Sequence, residues 1–211
     1  MNLTVLAGPN GVGKTYYSNL LLDNQYLPCP PINTDDLSKL INEDLLPYDM
    51  LRFETERQNQ IEKLFYDVAD NSIDNKSNFS YESNLSSPNQ LAPIGLFQGA
   101  GYEINLVYMC LPSIKDSISR VNLRKSKGGH PVERSKLEYN FEQGLKNLDA
   151  TFDEWKKLVV IESNIITNKI HIAFIIKNKR LVQYTGTPEC FSSALTPKLL
   201  EVIKNSDLSL F

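Results

Sequence analysis

The chain has 211 residues, of which 41% are hydrophobic and 22% are charged, and its formal net charge is −3. This composition is typical of a soluble globular protein, and the length suits one α/β domain with a substantial core. The acidic balance argues against nucleic acid as a partner, because a polyanion requires a basic surface. Three isolated cysteines and the lack of a long apolar run predict a cytoplasmic protein with no disulfide framework and no membrane span.

The first predicted elements are a strand from Leu3 to Leu6, a glycine-rich loop and a helix that ends at Asp23. The loop reads GPNGVGKT and fits the P-loop pattern G-x-x-x-x-G-K-S/T, in the strand-to-helix context that this pattern requires. Glycines permit turns that direct backbone N–H groups at phosphate, and the helix N-terminus adds partial positive charge. The pattern predicts a nucleoside triphosphate site, with Lys14 on the β- and γ-phosphates and Thr15 on Mg²⁺. The predicted nucleotide-binding residues are Gly8, Pro9, Asn10, Gly11, Val12, Gly13, Lys14, Thr15 and Tyr16.

A proline-rich stretch leads from the first helix to Ile32 and Asn33, which are predicted to form a short second strand beside the P-loop. In a strand, residues 33 and 35 point the same way, so both are expected to face the phosphates. We interpret Asp35 as the base that accepts the proton of a substrate hydroxyl and as a magnesium ligand. Asn33 would hold substrate or a magnesium-bound water. The alternative is that Asp35 or Asp36 only caps the next helix.

The middle of the chain alternates helices and strands. Glu82 ends a short apolar strand and precedes a polar loop, where its carboxylate would contact substrate or orient Asp35, or would simply be solvated. The next strand ends at Cys110 without an acidic residue, which argues against motor-type and transporter-type ATPases. The predicted elements are a helix from Arg52 to Ile73, a strand from Phe79 to Glu82, a helix near Asn89 to Gln98 and a strand from Ile104 to Leu111.

Basic residues mark the helix predicted from Pro112 to Lys127. Arg120, Arg124 and Lys127 are spaced by four and three residues, so they share one face. A Gly-Gly pair follows as a hinge, and residues 120–135 are therefore predicted to form a basic lid over the γ-phosphate. Arg120 and Arg124 would stabilise charge during transfer, and Lys127 would contact substrate. The alternative is a solvated basic helix end, which the helix dipole favours.

The last third of the chain predicts an amphipathic helix over 137–155, three strands and a short closing helix over 196–204. The strands cover 158–161, 170–176 and 181–184, and the last two are expected to form a hairpin around Asn178. Strands that alternate with helices indicate a P-loop NTPase fold in one domain, residues 1–211. We expect a doubly wound, mainly parallel sheet flanked by helices, with a C-terminal β-hairpin and ligands at the C-terminal strand ends.

Together these motifs resemble the zeta-toxin-like family of small P-loop kinases. The matching segments are GPNGVGKT, INTDDL, SYESNLSS and RVNLRKSKGGHPV, and they extend over residues 3 to about 148. The resemblance implies an ATP-dependent kinase of a small hydroxyl-bearing molecule, which in toxin members is UDP-N-acetylglucosamine. It places Asp35 at the base position, Glu82 at the substrate-contacting acid, and Lys14 and Thr15 at the phosphate and magnesium positions. A toxin role also implies an antitoxin-like protein partner.

The chain departs from this family at Asn140, which stands where members commonly have an arginine before an aromatic residue. An arginine that acts on the γ-phosphate raises the rate on the order of 10³-fold or more. One hypothesis is a kinase in which another residue, such as Arg134, compensates. The other is a catalytically weakened nucleotide-binding regulatory protein, or an ATPase, of the same fold.

Overall fold

The structure is a computed structural model that describes residues 1–41, 49–126, 132–164 and 169–210. Within these residues one sheet is flanked by helices. The strands are β1 (Asn2–Ala7), β2 (Phe79–Ser83), β3 (Glu103–Cys110), β4 (Lys157–Asn164), β5 (Lys169–Lys177) and β6 (Arg180–Tyr184). The helices are α1 (Lys14–Asp23), α2 (Thr34–Ser38), α3 (Met50–Asp74), α4 (Pro88–Gly99), α5 (Ile114–Ser126), α6 (Arg134–Ala150) and α7 (Pro197–Lys204), with 3-10 turns at Phe152–Glu154 and Leu208–Leu210.

The strand order is β2-β1-β3-β4-β5-β6. The first four of these strands are parallel to one another. Strand β5 runs antiparallel to β4, and β6 runs antiparallel to β5. Strands β1 and β3 are buried almost throughout, because helices cover both faces of a parallel sheet. The chain leaves β1 for the P-loop at the point where its neighbours β2 and β3 also end, and ligands bind at such points in open α/β sheets.

The predicted fold class is confirmed, and most predicted elements lie within a few residues of those observed. The C-terminal hairpin turns at Asn178 and Lys179, which have φ values of 50° and 64°. Two successive positive φ angles are typical of the tight turns that match strand twist. On α6 the predicted apolar face is buried. No helix in the described ranges is long and apolar enough to cross a membrane.

The segment before α2 differs from its prediction. Ile32 makes only an isolated parallel bridge to Tyr81, on the side of β2 away from β1, so the second strand that we predicted beside the P-loop is wrong. Asn33 is the N-cap of α2, because its side-chain oxygen accepts a hydrogen bond of 2.9 Å from the Asp35 N–H. Asp35 therefore lies in a helical turn, and the expectation that residues 33 and 35 face one way as strand neighbours fails.

Candidate active site

The P-loop passes directly over β3. Gly8 has a φ of 145°, and a Cβ atom added to it would lie 2.2 Å from the backbone oxygen of Met109. Any larger residue would therefore displace the loop or the strand. Gly13, with a φ of 97°, is the N-cap of α1. The loop thus ends on a helix N-terminus, where free N–H groups and the helix dipole attract an anion.

Lys14 is the first residue of α1, and its ammonium group lies inside the loop. It donates hydrogen bonds to the backbone oxygens of Gly8 (2.7 Å) and Pro9 (3.3 Å) and to Oδ1 of Asn84 (3.0 Å). Burial lowers the pKa of Lys14 to about 8, against the opposing effect of the Glu82 and Asp35 carboxylates. The charge of Arg124 lowers this pKa further. The charges of Asp35, Glu82 and Arg124, all predicted site residues, therefore act on the ammonium group.

Thr15, Asn33 and Glu82 form a hydrogen-bonded cluster next to Lys14. The Thr15 hydroxyl donates to Glu82 Oε2 at 3.0 Å, and Asn33 Nδ2 donates to Thr15 Oγ1 and to Glu82 Oε2, each at 3.2 Å. Burial raises the pKa of the Glu82 carboxyl, although the Thr15 hydrogen bond and the Lys14 charge oppose this. The structure thus brings together one predicted residue from each of the P-loop, the α2 N-cap and the end of β2.

The oxygen atoms of this cluster suit a magnesium ion. A threonine hydroxyl and carboxylates are hard ligands, and Mg²⁺ usually takes its remaining ligands from phosphate and water. Thr15 and Asp35, the predicted metal ligands, are both exposed. Within the described ranges no group of three or more His, Cys, Asp or Glu is placed to hold a metal ion, so protein side chains alone do not form a metal cage there.

The two neighbouring acids of α2 differ in their surroundings. Asp35 is exposed, and its negative charge acts on the pKa of both Lys14 and Glu82. The carboxylate of Asp36 forms an ion pair with Lys39. Since Asn33 caps the helix, the alternative in which Asp35 or Asp36 serves as the cap is wrong.

The two arginines of α5 also differ. Nη1 of Arg120 donates to the backbone oxygens of Gly11 and Val12, each at 3.2 Å, and to the Ser163 hydroxyl at 2.8 Å. These contacts tie the P-loop to the end of β4. Arg124, one turn later, is exposed and close enough to influence Lys14. The role of Arg120 on the γ-phosphate stays a prediction, and Lys127 and the Gly-Gly hinge lie outside the described residues.

The sequence did not predict a role in the site for two residues, Asn84 and Asn140. Asn84 accepts a hydrogen bond from Lys14, and the available signal was its spacing of two residues from Glu82, which places both on one face of an extended segment. Asn140 is buried, donates from Nδ2 to Oδ1 of Asn10 at 2.7 Å and accepts from the Ser86 hydroxyl at 2.7 Å. No sequence signal indicated this contact, which joins positions 130 residues apart.

A cavity of about 570 Å³ adjoins this network between α4 and α6. None of the side chains that line it carries a formal charge, so it suits a polar but neutral group. The lining residues are Ser86, Pro88, Leu91, Ala92, Gly95, Tyr139, Gln143 and Asn147.

The sequence model of the zeta toxin family matches residues 2–180, which include every element of the site described above. The chain belongs to the zeta toxin family. The resemblance inferred from the sequence motifs is therefore confirmed. No curated protein sequence matches this member of the family significantly.

Solved structures give the same fold. Two structures of AvrRxo1-ORF1:AvrRxo1-ORF2, one with sulphate ions and one with ATP, match with TM-scores of 0.62 and 0.60 at 12% identity over 86% and 98% of this chain. A structure of the PezAT toxin–antitoxin system of Streptococcus pneumoniae matches with a TM-score of 0.57 at 13% identity, over 96% of this chain and 84% of that one. This zeta toxin family chain spans only 60% and 65% of the two AvrRxo1 chains. These likenesses show a P-loop kinase-like fold.

The pKa of Lys14 leads to a pH-dependent prediction. Because the folded pKa of Lys14 is about 8 and the ordinary value is 10.5, this group binds fewer protons in the folded chain than in the unfolded chain between these values, and its own contribution to stability becomes more favourable as pH rises across that window. A bound triphosphate would raise the pKa again. We expect ATP binding at about pH 9 to take up as much as one proton, measured by calorimetry in buffers of different ionisation enthalpy. Lys14→Met should bind ATP more weakly and without proton uptake, and equal uptake in both proteins would contradict the assignment.

Proposed function

We propose that this single domain is an ATP- and Mg²⁺-dependent kinase that phosphorylates a hydroxyl group of a small molecule. The family and the fold support a P-loop kinase-type phosphotransferase. The observation that carries the proposal is the hydrogen-bonded cluster of Thr15, Asn33 and Glu82 beside Lys14 of the P-loop. The charges of Asp35 and Arg124 also act on the Lys14 ammonium group. The solved AvrRxo1 neighbour with ATP supports the choice of nucleotide.

Each side chain has a role in the proposed reaction. Lys14 and the loop N–H groups would hold the β- and γ-phosphates, and Thr15 and Asp35 would provide oxygen ligands for a Mg²⁺ ion that neutralises phosphate charge. The acceptor hydroxyl oxygen bonds to the γ-phosphorus as the bond to the β-phosphate oxygen breaks. The hydroxyl proton passes to the Asp35 carboxylate, and ADP leaves. Glu82 holds the acceptor, and Arg124 offsets the developing negative charge.

The acceptor is proposed to place a neutral polar portion in the cavity between α4 and α6. Ser86 lies in its wall and is joined through Asn140 to Asn10, so hydrogen bonds connect the wall of the cavity to the P-loop. Hydroxyl and amide groups bind well to side chains such as Gln143, and a sugar ring packs on an aromatic face such as Tyr139. UDP-N-acetylglucosamine, the substrate of toxin members, is the first acceptor to test.

A protein partner is also proposed. PezAT is described as a toxin–antitoxin system, and the AvrRxo1-ORF1 structures contain a second protein, AvrRxo1-ORF2. By analogy, an antitoxin-like protein would bind this chain and neutralise it. Co-expression of a candidate partner with measured growth tests this directly.

The test of the kinase proposal is a transfer screen. The purified chain is incubated with Mg²⁺ and γ-labelled ATP in the presence of UDP-N-acetylglucosamine, other sugar nucleotides, nucleosides or polyols. A labelled acceptor that is absent with Lys14→Ala is the expected result. ATP binding without transfer to any acceptor would instead favour the weakened regulatory protein. The observation that favours this regulatory protein is the neutral Asn140, which stands where family members commonly have an arginine.

A further inference from the structure

One stripe of α6 contacts the loop that holds the Lys14 ammonium group. Asn140, Gly144 and Asn147 are spaced by four and three residues, so they lie above one another on one face. All three meet the loop that follows β2, residues 84–86. This loop contains Asn84, the side chain that accepts a hydrogen bond from Lys14.

Each member of the stripe contacts a different loop residue. Asn147 Nδ2 donates to the backbone oxygen of Leu85 at 2.8 Å, and Asn140 Oδ1 accepts from the Ser86 hydroxyl at 2.7 Å. Gly144 acts through its lack of a side chain, because a Cβ atom there would lie 2.7 Å from the backbone oxygen of Asn84. That atom cannot move away as the end of a flexible side chain would, so the close approach requires glycine.

The loop itself has a backbone conformation that needs support. Leu85 has a φ of 58° and is fully buried. A non-glycine residue in the left-handed region costs on the order of 1 kcal/mol or more and persists where its surroundings enforce it. The enforcing contacts are the Ser83 hydroxyl, which accepts from the Leu85 N–H at 2.8 Å, and the Asn147 amide on the Leu85 carbonyl.

The same stripe reaches the P-loop. Asn140 is buried, and its amide donates to Asn10 Oδ1 while its oxygen holds Ser86. The α6 helix thus contacts both the loop that carries Lys14 and the loop that holds the Lys14 ammonium through Asn84. Its N-terminus at Arg134 lies at the end of the segment predicted as the lid, residues 120–135.

We propose that the Asn140–Gly144–Asn147 stripe of α6 is a positioning device that fixes Asn84 against Lys14 and thereby sets the phosphate-binding position of the ammonium group. The inference rests on the proposed function, in which Lys14 binds the phosphates of ATP. Gly144 is a positioning residue that acts through Asn84. Its substitution should therefore matter only while the Asn84 side chain is present.

A double-mutant cycle tests this dependence. Gly144→Ala and Asn84→Ala are each expected to weaken ATP binding about tenfold, because each disturbs a hydrogen bond to a charged group. The double variant should be no weaker than Asn84→Ala alone. The matched control is Gly99→Ala on α4, where an added Cβ meets nothing within 4 Å and binding should not change. Losses that multiply in the double variant, or equal binding by Gly144→Ala and Gly99→Ala, would overturn the proposal.

Two additions keep the result decisive. If Gly144→Ala does not fold, Asn147→Ala removes the Leu85 hydrogen bond without adding bulk, and it enters the same cycle with the same expectation. The NMR resonances of the Lys14 ε-CH₂ group, followed without nucleotide, should shift in Gly144→Ala and in Asn84→Ala and stay unchanged in Gly99→Ala. If the parent chain binds no ATP, the proposed function fails, and these resonances still decide whether the stripe positions Lys14.

Discussion

Replacing Asp35 with asparagine is expected to lower phosphate transfer by about 10²- to 10⁴-fold while ATP affinity stays within about threefold of the parent value. Asparagine keeps the size of the side chain but cannot accept the hydroxyl proton. Asp35 is exposed in the first turn of α2, so its substitution should cost little stability. Steady-state transfer rates and calorimetric ATP affinities measure the two effects separately.

The adjacent acid provides the matched control. Asp36 lies one residue further along the same helical turn and pairs with Lys39. Asp36→Asn removes the same charge from the same helix but leaves the carboxylate next to Lys14 in place. Transfer by this variant should remain within about threefold of the parent rate, since exposed pairs of this kind contribute little. If both variants lose transfer equally, Asp35 is not the base.

Local patterns were enough to predict the P-loop and most helices and strands. The glycines and Lys14 act through backbone geometry within eight residues, and the apolar face of α6 repeats over several turns, so each signal is contained in one segment. Asp35 was chosen partly on a strand argument that failed, because residues 33–35 form a cap and helix start in place of a strand, and partly on the family resemblance. It still lies near Lys14, since a helix beginning beside the end of β2 points its first turn at the same edge of the sheet.

Contacts between distant segments could not be predicted in this way. Asn84 and Lys14 are 70 positions apart, and Arg120 lies 43 positions from Ser163. Nothing in the residues around Arg120 shows that two P-loop carbonyls lie within reach of its guanidinium group. Asn140 is similar, because the motif only showed that an arginine was replaced. Its structural role depends on Ser86 and Asn10, which the fold places on either side of it.

These contacts change the expected charge of the site. Asn140 is neutral, and the guanidinium group of Arg120 is bound to the carbonyls of the P-loop and to Ser163. Arg134, proposed as a replacement, pairs with Glu138 in the first turn of α6. Arg124 carries no such hydrogen bond in the described part of the chain, and its charge acts on the Lys14 ammonium group. The rate of phosphate transfer is therefore expected to depend strongly on Arg124.

Arg124→Ala is accordingly expected to lower the rate of transfer on the order of 10³-fold, because an arginine that offsets charge on the transferring phosphate contributes that much. Its stability should change by less than about 0.5 kcal/mol, since Arg124 is exposed on the last turn of α5. Transfer rates and urea denaturation at the same pH give both values. Arg124→Lys keeps the charge without the planar fork and should recover part of the rate.

Arg120→Ala, one helical turn away, should show a different pattern. Loss of its hydrogen bonds to Gly11, Val12 and Ser163 is expected to lower the free energy of unfolding by about 1–3 kcal/mol and to weaken ATP binding, because the P-loop loses its tie to β4. If Arg120 instead acts on the γ-phosphate, its substitution will lower the transfer rate at saturating ATP and leave the denaturation midpoint unchanged. The lid prediction for Arg120 is then the correct one. The pair of variants therefore separates a group that positions the phosphate-binding loop from a group that acts on the phosphate itself.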